Sequence, residues 1–337
     1  MISPGSSRVS EPPPKQPVLV TGATGALGRH LVPQLVRAGY QVRGHYRTHP
    51  GTCDAVDWRK MNFLDTLDFS SLVEGCGAVI HLAAETNNGP LMYRVNVEST
   101  AALLAAARSA GTRYFGYASS IVVYGSPTRR VVDETAPILD PSAPLIRQYR
   151  ADPAMLEYAR TKVLAETEIN ELRSSMIIDL YRPTVVIDLD EILSVGSWSL
   201  IRKLACAYRR TQYIYVKDVA AAMLHLMALG LRSPPDRSSI EVFNVADGDS
   251  GTFRDILRLA YKVTRDRRYK PHIGSAMNMA LDLTKDALKY CDPHLRYALG
   301  MLRFCNAKLL STGFRLPCGF KSALKLALGQ TTPASIA

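Results

Sequence analysis

The sequence has no two cysteines close enough for a metal knuckle or a Cys-x-x-Cys redox pair. Its six cysteines, Cys53, Cys76, Cys206, Cys291, Cys305 and Cys318, are scattered through 337 residues. They read as reduced thiols in a cytoplasmic protein. The seven histidines are equally dispersed, so no metal site is expected. No apolar run approaches the roughly 18 residues that a membrane span needs. Residues 1–16 lack the apolar centre of a signal peptide and carry three consecutive prolines. They read as a disordered tail. Internal repeats are absent. The basic residues form no single long run, and none of their small groups has the spacing of a zinc finger or an RNA-reading strand.

What is present is apolar material and positive charge. Hydrophobic residues make up 47 % of the chain, ample for a core. Lys plus Arg number 41 against 30 Asp plus Glu, a formal net charge of +11. That balance suits an anionic cofactor and a small-molecule substrate; nucleic acid is not expected as a partner. Strands read at 17–20, 41–46, 54–62, 77–84, 113–118, 176–186, 213–216 and 240–246 alternate, through residue 230, with helices at 28–38, 69–74, 97–110, 155–173 and 218–230. This alternation predicts an α/β protein with a parallel sheet covered on both faces. From Thr252 onward the chain reads as mostly helical and basic, a smaller lobe. The expected division is 17–187 plus 213–250 for the sheet domain and 188–212 plus 251–330 for the lobe.

The first strand opens onto Thr21-Gly22-Ala23-Thr24-Gly25-Ala26-Leu27-Gly28. Gly22 can take a tight turn, Gly25 lets backbone approach a phosphate, and Gly28 allows a helix to pack closely on the sheet. A glycine triplet is often only a turn; a strand before it and a helix after it point to a dinucleotide. The second strand ends in Val42-Arg43-Gly44-His45-Tyr46-Arg47. An acidic residue there would accept from a ribose 2′-hydroxyl. Tyr46 holds that position instead, and Arg43 and Arg47 flank it. Guanidinium suits a 2′-phosphate, which favours NADP, with NAD possible. The alternative is that both arginines are merely solvated.

Tyr158 and Lys162 stand four apart on a predicted helix, so their heads share a face. A nearby ammonium stabilises phenolate, which would lower the tyrosine pKa and make it a general acid or base. The same spacing recurs at Tyr213 and Lys217, but on a predicted strand, where four residues span about 13 Å. Ser119 and Ser120 follow the fifth strand, where a parallel sheet opens its ligand crevice.

Taken in order, these residues resemble the extended short-chain dehydrogenase/reductases of the NAD(P)-dependent epimerase/dehydratase type. The resemblance covers residues 17–320. It is carried by Thr21 to Gly28, His81-Leu82-Ala83-Ala84, Asn96-Val97, Ser119 to Gly125, Tyr158 to Lys162, Arg182-Pro183, Tyr215 to Ala220 and Phe243-Asn244-Val245. It implies a Rossmann-type doubly wound parallel sheet with a smaller, mostly helical C-terminal substrate lobe. It implies Ser120, Tyr158 and Lys162 as catalytic residues, with Lys162 also on the nicotinamide ribose. It adds Asn62-Phe63 near adenine, and Leu82, Ala83, Ala84, Asn96, Arg182 and Pro183 at the cofactor. It also implies a homodimer through the 97–110 and Tyr158 helices.

The departures bear on substrate. Ile121 and Val122 replace the Asp-Glu of the family's 4,6-dehydratases, which argues against water elimination. Val186-Ile-Asp-Leu-Asp190 replaces a V-Y-G-P ending. Asp140 to Ala154 looks inserted; its Arg147, Tyr149 and Arg150 border the substrate or form a solvated loop. The apolar stripe at 277–304 reads as core or dimer seam before lipid pocket. Three functions stay open: an NADP(H)-dependent carbonyl reductase or alcohol dehydrogenase, a nucleotide-sugar epimerase with tightly held cofactor, and a non-catalytic NADP-binding protein. The first is favoured, because Arg43, Arg47 and Arg182-Pro183 resemble reductases of non-nucleotide substrates.

Overall fold

Val18–Thr21 is wholly buried and forms β1. A four-residue apolar run of this kind satisfies its backbone only inside a sheet flanked on both sides. The chain leaves β1 through Gly22, whose φ of +63° no side chain would favour. It then enters α1 (Gly28–Arg37). Strands β2 (Val42–Tyr46) and β3 (Val56–Lys60) follow, then α2 (Ser70–Val73), β4 (Ala78–His81) and α3 (Gly89–Tyr93). A single wide π turn, Arg94–Glu98, joins α3 to α4 (Ser99–Ser109), which leads to β5 (Tyr114–Ala118). Next come α5 (Pro153–Glu171), β6 (Ile177–Pro183), α6 (Val216–Arg232) and β7 (Ser239–Val245).

The computed structural model describes residues 16–149, 151–172, 176–200, 203, 210–234, 236–248, 251–270 and 302–329. The seven strands lie in the order β7-β6-β5-β4-β1-β2-β3, every neighbouring pair parallel. The predicted doubly wound parallel sheet is therefore present. The strand order reverses between β1 and β4, the point at which such sheets open a ligand crevice.

Each face of the sheet has its own core. One gathers Val18, Val20, Leu31, Leu35, Tyr114, Tyr181, Met223 and Leu226 under α1 and α6. The other gathers Leu19, Phe69, Leu103, Phe115, Tyr117, Ala165 and Leu180 under α2, α4 and α5. A further cluster joins Ile256, Leu257 and Ala260 to Phe320, Leu324 and Leu328, late in the chain. Among the described residues no helix is long and apolar enough to cross a membrane.

Three sequence readings need correction. The strand expected through Val186 breaks at Thr184: Val185–Ile187 leaves the main sheet and pairs with Tyr213–Tyr215 in a two-stranded sheet. The helix expected at Val97 begins eight residues earlier, at Gly89, and passes through the π turn. No strand was expected after Thr252, yet Arg303–Phe304 pairs with Val131–Val132. The reading of residues 1–16 as a tail falls, save Gln16, outside the described residues, as do Arg150, Cys206, Cys291 and most of 277–304.

Candidate active site

The glycine loop is tied to the sheet before any ligand arrives. Ala23 N–H donates to the His45 carbonyl (3.0 Å), and Gly25 N–H to that of Gly22 (2.9 Å). A Cβ on Gly22 would lie 2.9 Å from Ala83 N, and one on Gly28 would lie 2.3 Å from Gly22 O. Both positions therefore exclude a side chain. Thr24, Gly25 and Ala26 are exposed at the start of α1, where backbone N–H groups and helix dipole favour an anion. This cradle fits a pyrophosphate.

Two histidines absent from the sequence-based site list hold the loop. His45 on β2 accepts from Gly22 N–H through Nδ1 (3.1 Å) and faces the Met61 carbonyl through Nε2 (3.0 Å). That pairing requires the neutral ring, and burial lowers its pKa. His81 on β4 lies between Thr21 Oγ1 (2.6 Å) and Thr100 Oγ1 (2.9 Å). Burial, helped by the Lys162 charge, depresses it to about 3. Thr21 Oγ1 in turn accepts from Leu82 and Ala83 N–H, which peels that segment away from the strand beyond His81. The signal for this in sequence is the place of His81 in the His81-Leu82-Ala83-Ala84 motif; His45 carries none.

Helix α5 starts at Pro153, two residues before the expected 155. Asp152 Oδ1 accepts from Met155 N–H (3.0 Å) and Pro153 occupies the first turn. Tyr158 and Lys162 lie one turn apart, and Lys162 Nζ stands 5.7 Å from the Tyr158 ring centroid. The ammonium donates to the Ala118 carbonyl (2.7 Å) and to Tyr117 Oη (3.2 Å) at the end of β5. Ser120 follows two residues later, half-buried, its Oγ accepting from Val122 N–H (3.3 Å). Tyr158 packs beside Ile121, Val122 and Val123. The sheet edge thus brings Tyr158, Lys162 and the Ser120 segment together. At the duplicate spacing, Tyr213 ends in a strand while Lys217 lies in a helix.

One electrostatic expectation is reversed. Burial pushes the Tyr158 phenol up to about 12, and Lys162 is pushed down to about 7 by burial, partly offset by Glu166. Desolvation sets the direction at both groups.

Behind the site, Glu166 accepts from Arg182 through both carboxylate oxygens (3.0 and 2.5 Å) and from Ser119 Oγ (2.5 Å). Pro183 is buried beside Arg182 at the end of β6. Asn96, expected at the cofactor, is a buried strut: it accepts from Glu85 N–H and donates to the Glu85 carbonyl and to Thr161 Oγ1. Asn62 accepts from Leu64 N–H and donates to Asp65, while Phe63 stacks on His45 at 4.4 Å. Phe63 therefore supports the loop through His45, while Asn62 braces its own turn.

The two arginines of the second strand part company. Arg43 lies near the start of β2. Its guanidinium is held by Asp57 (3.1 Å), the carbonyls of Leu72 (3.0 Å) and Glu74 (2.8 Å), and Cys76. It is thus committed to the end of the sheet away from the crevice. Arg47 lies past the other end, its side chain 64 % exposed and 4.0 Å from Glu85 Oε2. Of the inserted segment, Tyr149 is buried against Ile121, Val123 and Leu139, while Arg147 is exposed.

Residues 18–180 match the NAD dependent epimerase/dehydratase family. The chain is 32 % identical over 136 residues to cinnamoyl-CoA reductase 1 of Oryza sativa subsp. japonica, covering 36 % of this chain and 40 % of that protein. It is 33 % identical over 145 residues to UDP-glucose 4-epimerase of Mus musculus, covering 36 % and 42 %. The matched stretch thus spans less than half the length of either relative. The solved structure of MoeE5 in complex with UDP-glucuronic acid and NAD superposes with a TM-score of 0.69 at 19 % identity, over 93 % of this chain and 98 % of that one.

Proposed function

We propose that this chain, which belongs to the extended short-chain dehydrogenase/reductases of the NAD dependent epimerase/dehydratase family, is an NADP(H)-dependent carbonyl reductase or alcohol dehydrogenase. The observation that carries this reading is the pairing of a Tyr158–Lys162 helix face at the β5 edge with an exposed Arg47 at the β2 edge. Thr24 to Gly28 would hold the pyrophosphate, Arg47 the 2′-phosphate, and Lys162 the nicotinamide ribose. The bound cofactor supplies hydride chemistry. Tyr158 Oη holds the proton that the substrate oxygen gains in reduction or loses in oxidation, and a phenol kept protonated by burial is ready to act as the acid. Ser120 Oγ orients that oxygen. The buried Glu166–Arg182 pair fixes the β5 and β6 ends, so the three side chains are presented on a rigid base.

Residues 188–212 and 251–330 form the lobe that closes over the substrate in this reading. A homodimer through α4 and α5 belongs to it as well, and light scattering tests that part. An epimerase with tightly held cofactor is the second reading, favoured by the identity to the mouse 4-epimerase. NADPH and NADH titrations, followed by aromatic and steroid ketones and then UDP- and GDP-sugars, separate the two. Stoichiometric NADPH consumption with a carbonyl supports the reductase. Sugar turnover without net redox change supports the epimerase, and indifference to both dinucleotides sinks both.

A further inference from the structure

We propose that Tyr117 is a positioning residue. Its phenol oxygen, together with the Ala118 carbonyl, fixes the Lys162 ammonium at the C-terminal end of β5. This deepens the NADP(H) reading and rests on it.

Tyr117 Oη has a lone pair for Lys162 Nζ (3.2 Å), and the Ala118 carbonyl takes a second ammonium proton (2.7 Å). Tyr117 and Lys162 are 1 % and 2 % exposed, so no water competes for these groups. Two of the three ammonium protons are used by Ala118 O and Tyr117 Oη, and one remains for a ribose hydroxyl.

A phenylalanine at 117 would fill the same space among Leu103, Phe115 and Leu180. It would also keep the ring under the ammonium, at 4.6 Å. The hydroxyl adds an acceptor for the charged amine. The groups facing Lys162 are Tyr158 and Glu166 on its own helix, Tyr117 on β5 and His81 on β4, with Arg182 of β6 behind Glu166. His81 stays neutral down to about 3 and Tyr158 stays protonated up to about 12. Glu166 is bound to a guanidinium that this pairing keeps charged against its burial. Lys162 is the member of this set that titrates near neutrality.

The test is NADPH and NADH binding, followed by nucleotide fluorescence from mildly acidic to alkaline pH, in wild type, Tyr117→Phe and Lys162→Met. Wild-type affinity should fall on the alkaline side as the ammonium loses its proton. Tyr117→Phe should move that fall down by about one pH unit, the size of one hydrogen bond to a charge. Lys162→Met should abolish it. An alkaline fall at the wild-type pH in Tyr117→Phe, or one that survives in Lys162→Met, overturns the proposal and leaves the NADP(H) reading intact. Binding of neither dinucleotide by wild type overturns both.

Discussion

Tyr114 and Tyr117 belong to one strand, face opposite sides of one sheet, and sit in polar clusters of opposite sign. Tyr117 meets an ammonium, Lys162, under α4 and α5. Tyr114 donates to a carboxylate, Asp179 (2.6 Å), and meets the Tyr181 hydroxyl under α6. Burial shifts both ionisable partners toward neutrality: Lys162 falls to about 7 and Asp179 rises to about 7. Titration therefore does not distinguish a site from a strut. Position along the strand does. Tyr117 is one residue from the C-terminal end of β5, where the crevice opens, whereas Tyr114 opens the strand. The rear cluster is also sealed by two glycines: a Cβ on Gly116 would lie 2.6 Å from Tyr181 Oη, and one on Gly230 would lie 2.5 Å from Tyr114 Cδ2. Small residues there admit the phenols and leave no room for a ligand.

The sharpest way to break this contrast is to remove one hydroxyl from each side. Tyr158→Phe should lower kcat/KM by roughly 10²–10⁴-fold while dinucleotide binding persists; Tyr181→Phe should leave turnover unchanged. Steady-state kinetics on both variants decides it, and equal losses would erase the distinction. Next in size is Glu166→Ala, which leaves Arg182 buried without its partner. Urea unfolding should show a loss of about 3–5 kcal/mol, and a loss below 1 kcal/mol would mean that water replaces the carboxylate. Tyr114→Phe should cost about 1–3 kcal/mol by the same measurement, with kcat unchanged, because Asp179 loses its donor.

The smallest effect is in the pH dependence of stability. From the ordinary 3.8 up to about 7, the folded chain keeps a proton on Asp179 that the unfolded chain has released. Stability from this group is full in acid and is lost as pH rises through about 7. Lys162 acts in reverse: from about 7 to 10.5 the unfolded chain holds the extra proton, so stability rises with pH. Asp179→Asn should flatten only the first slope and Lys162→Met only the second. Unfolding midpoints across pH that keep both slopes in both variants would show that other groups carry them.

The parts of the molecule built from local rules were legible in the sequence. Gly22 and Gly28 read as glycines that must be glycine, and contacts of 2.9 and 2.3 Å at a built Cβ give the reason. The Tyr158–Lys162 face was readable because four residues on a helix always face together. What escaped notice was set by tertiary contact. The start of α3 was hidden because Asn-Asn-Gly-Pro reads as a turn. Arg43 and Arg47 looked equivalent as neighbouring charges, yet they are four residues apart on a strand and so lie at opposite ends of it. Asn96 looked like a ligand residue, whereas its amide is spent on Glu85 and Thr161. His81 was marked only by its place in the His81-Leu82-Ala83-Ala84 motif and His45 by nothing, because their partners Thr21, Thr100, Gly22 and Met61 are distant in the chain.

The reversal of strand order between β1 and β4 has a practical side. β1, β2 and β3, with the glycine loop and Arg47, occupy one uninterrupted stretch of the gene, residues 18–60, while Tyr158 and Lys162, the proposed proton-handling pair, are encoded about a hundred residues later. That stretch is a cassette. Grafting it from a homologue of opposite dinucleotide preference would carry the coenzyme choice across in a single exchange and leave the reacting groups of the host untouched.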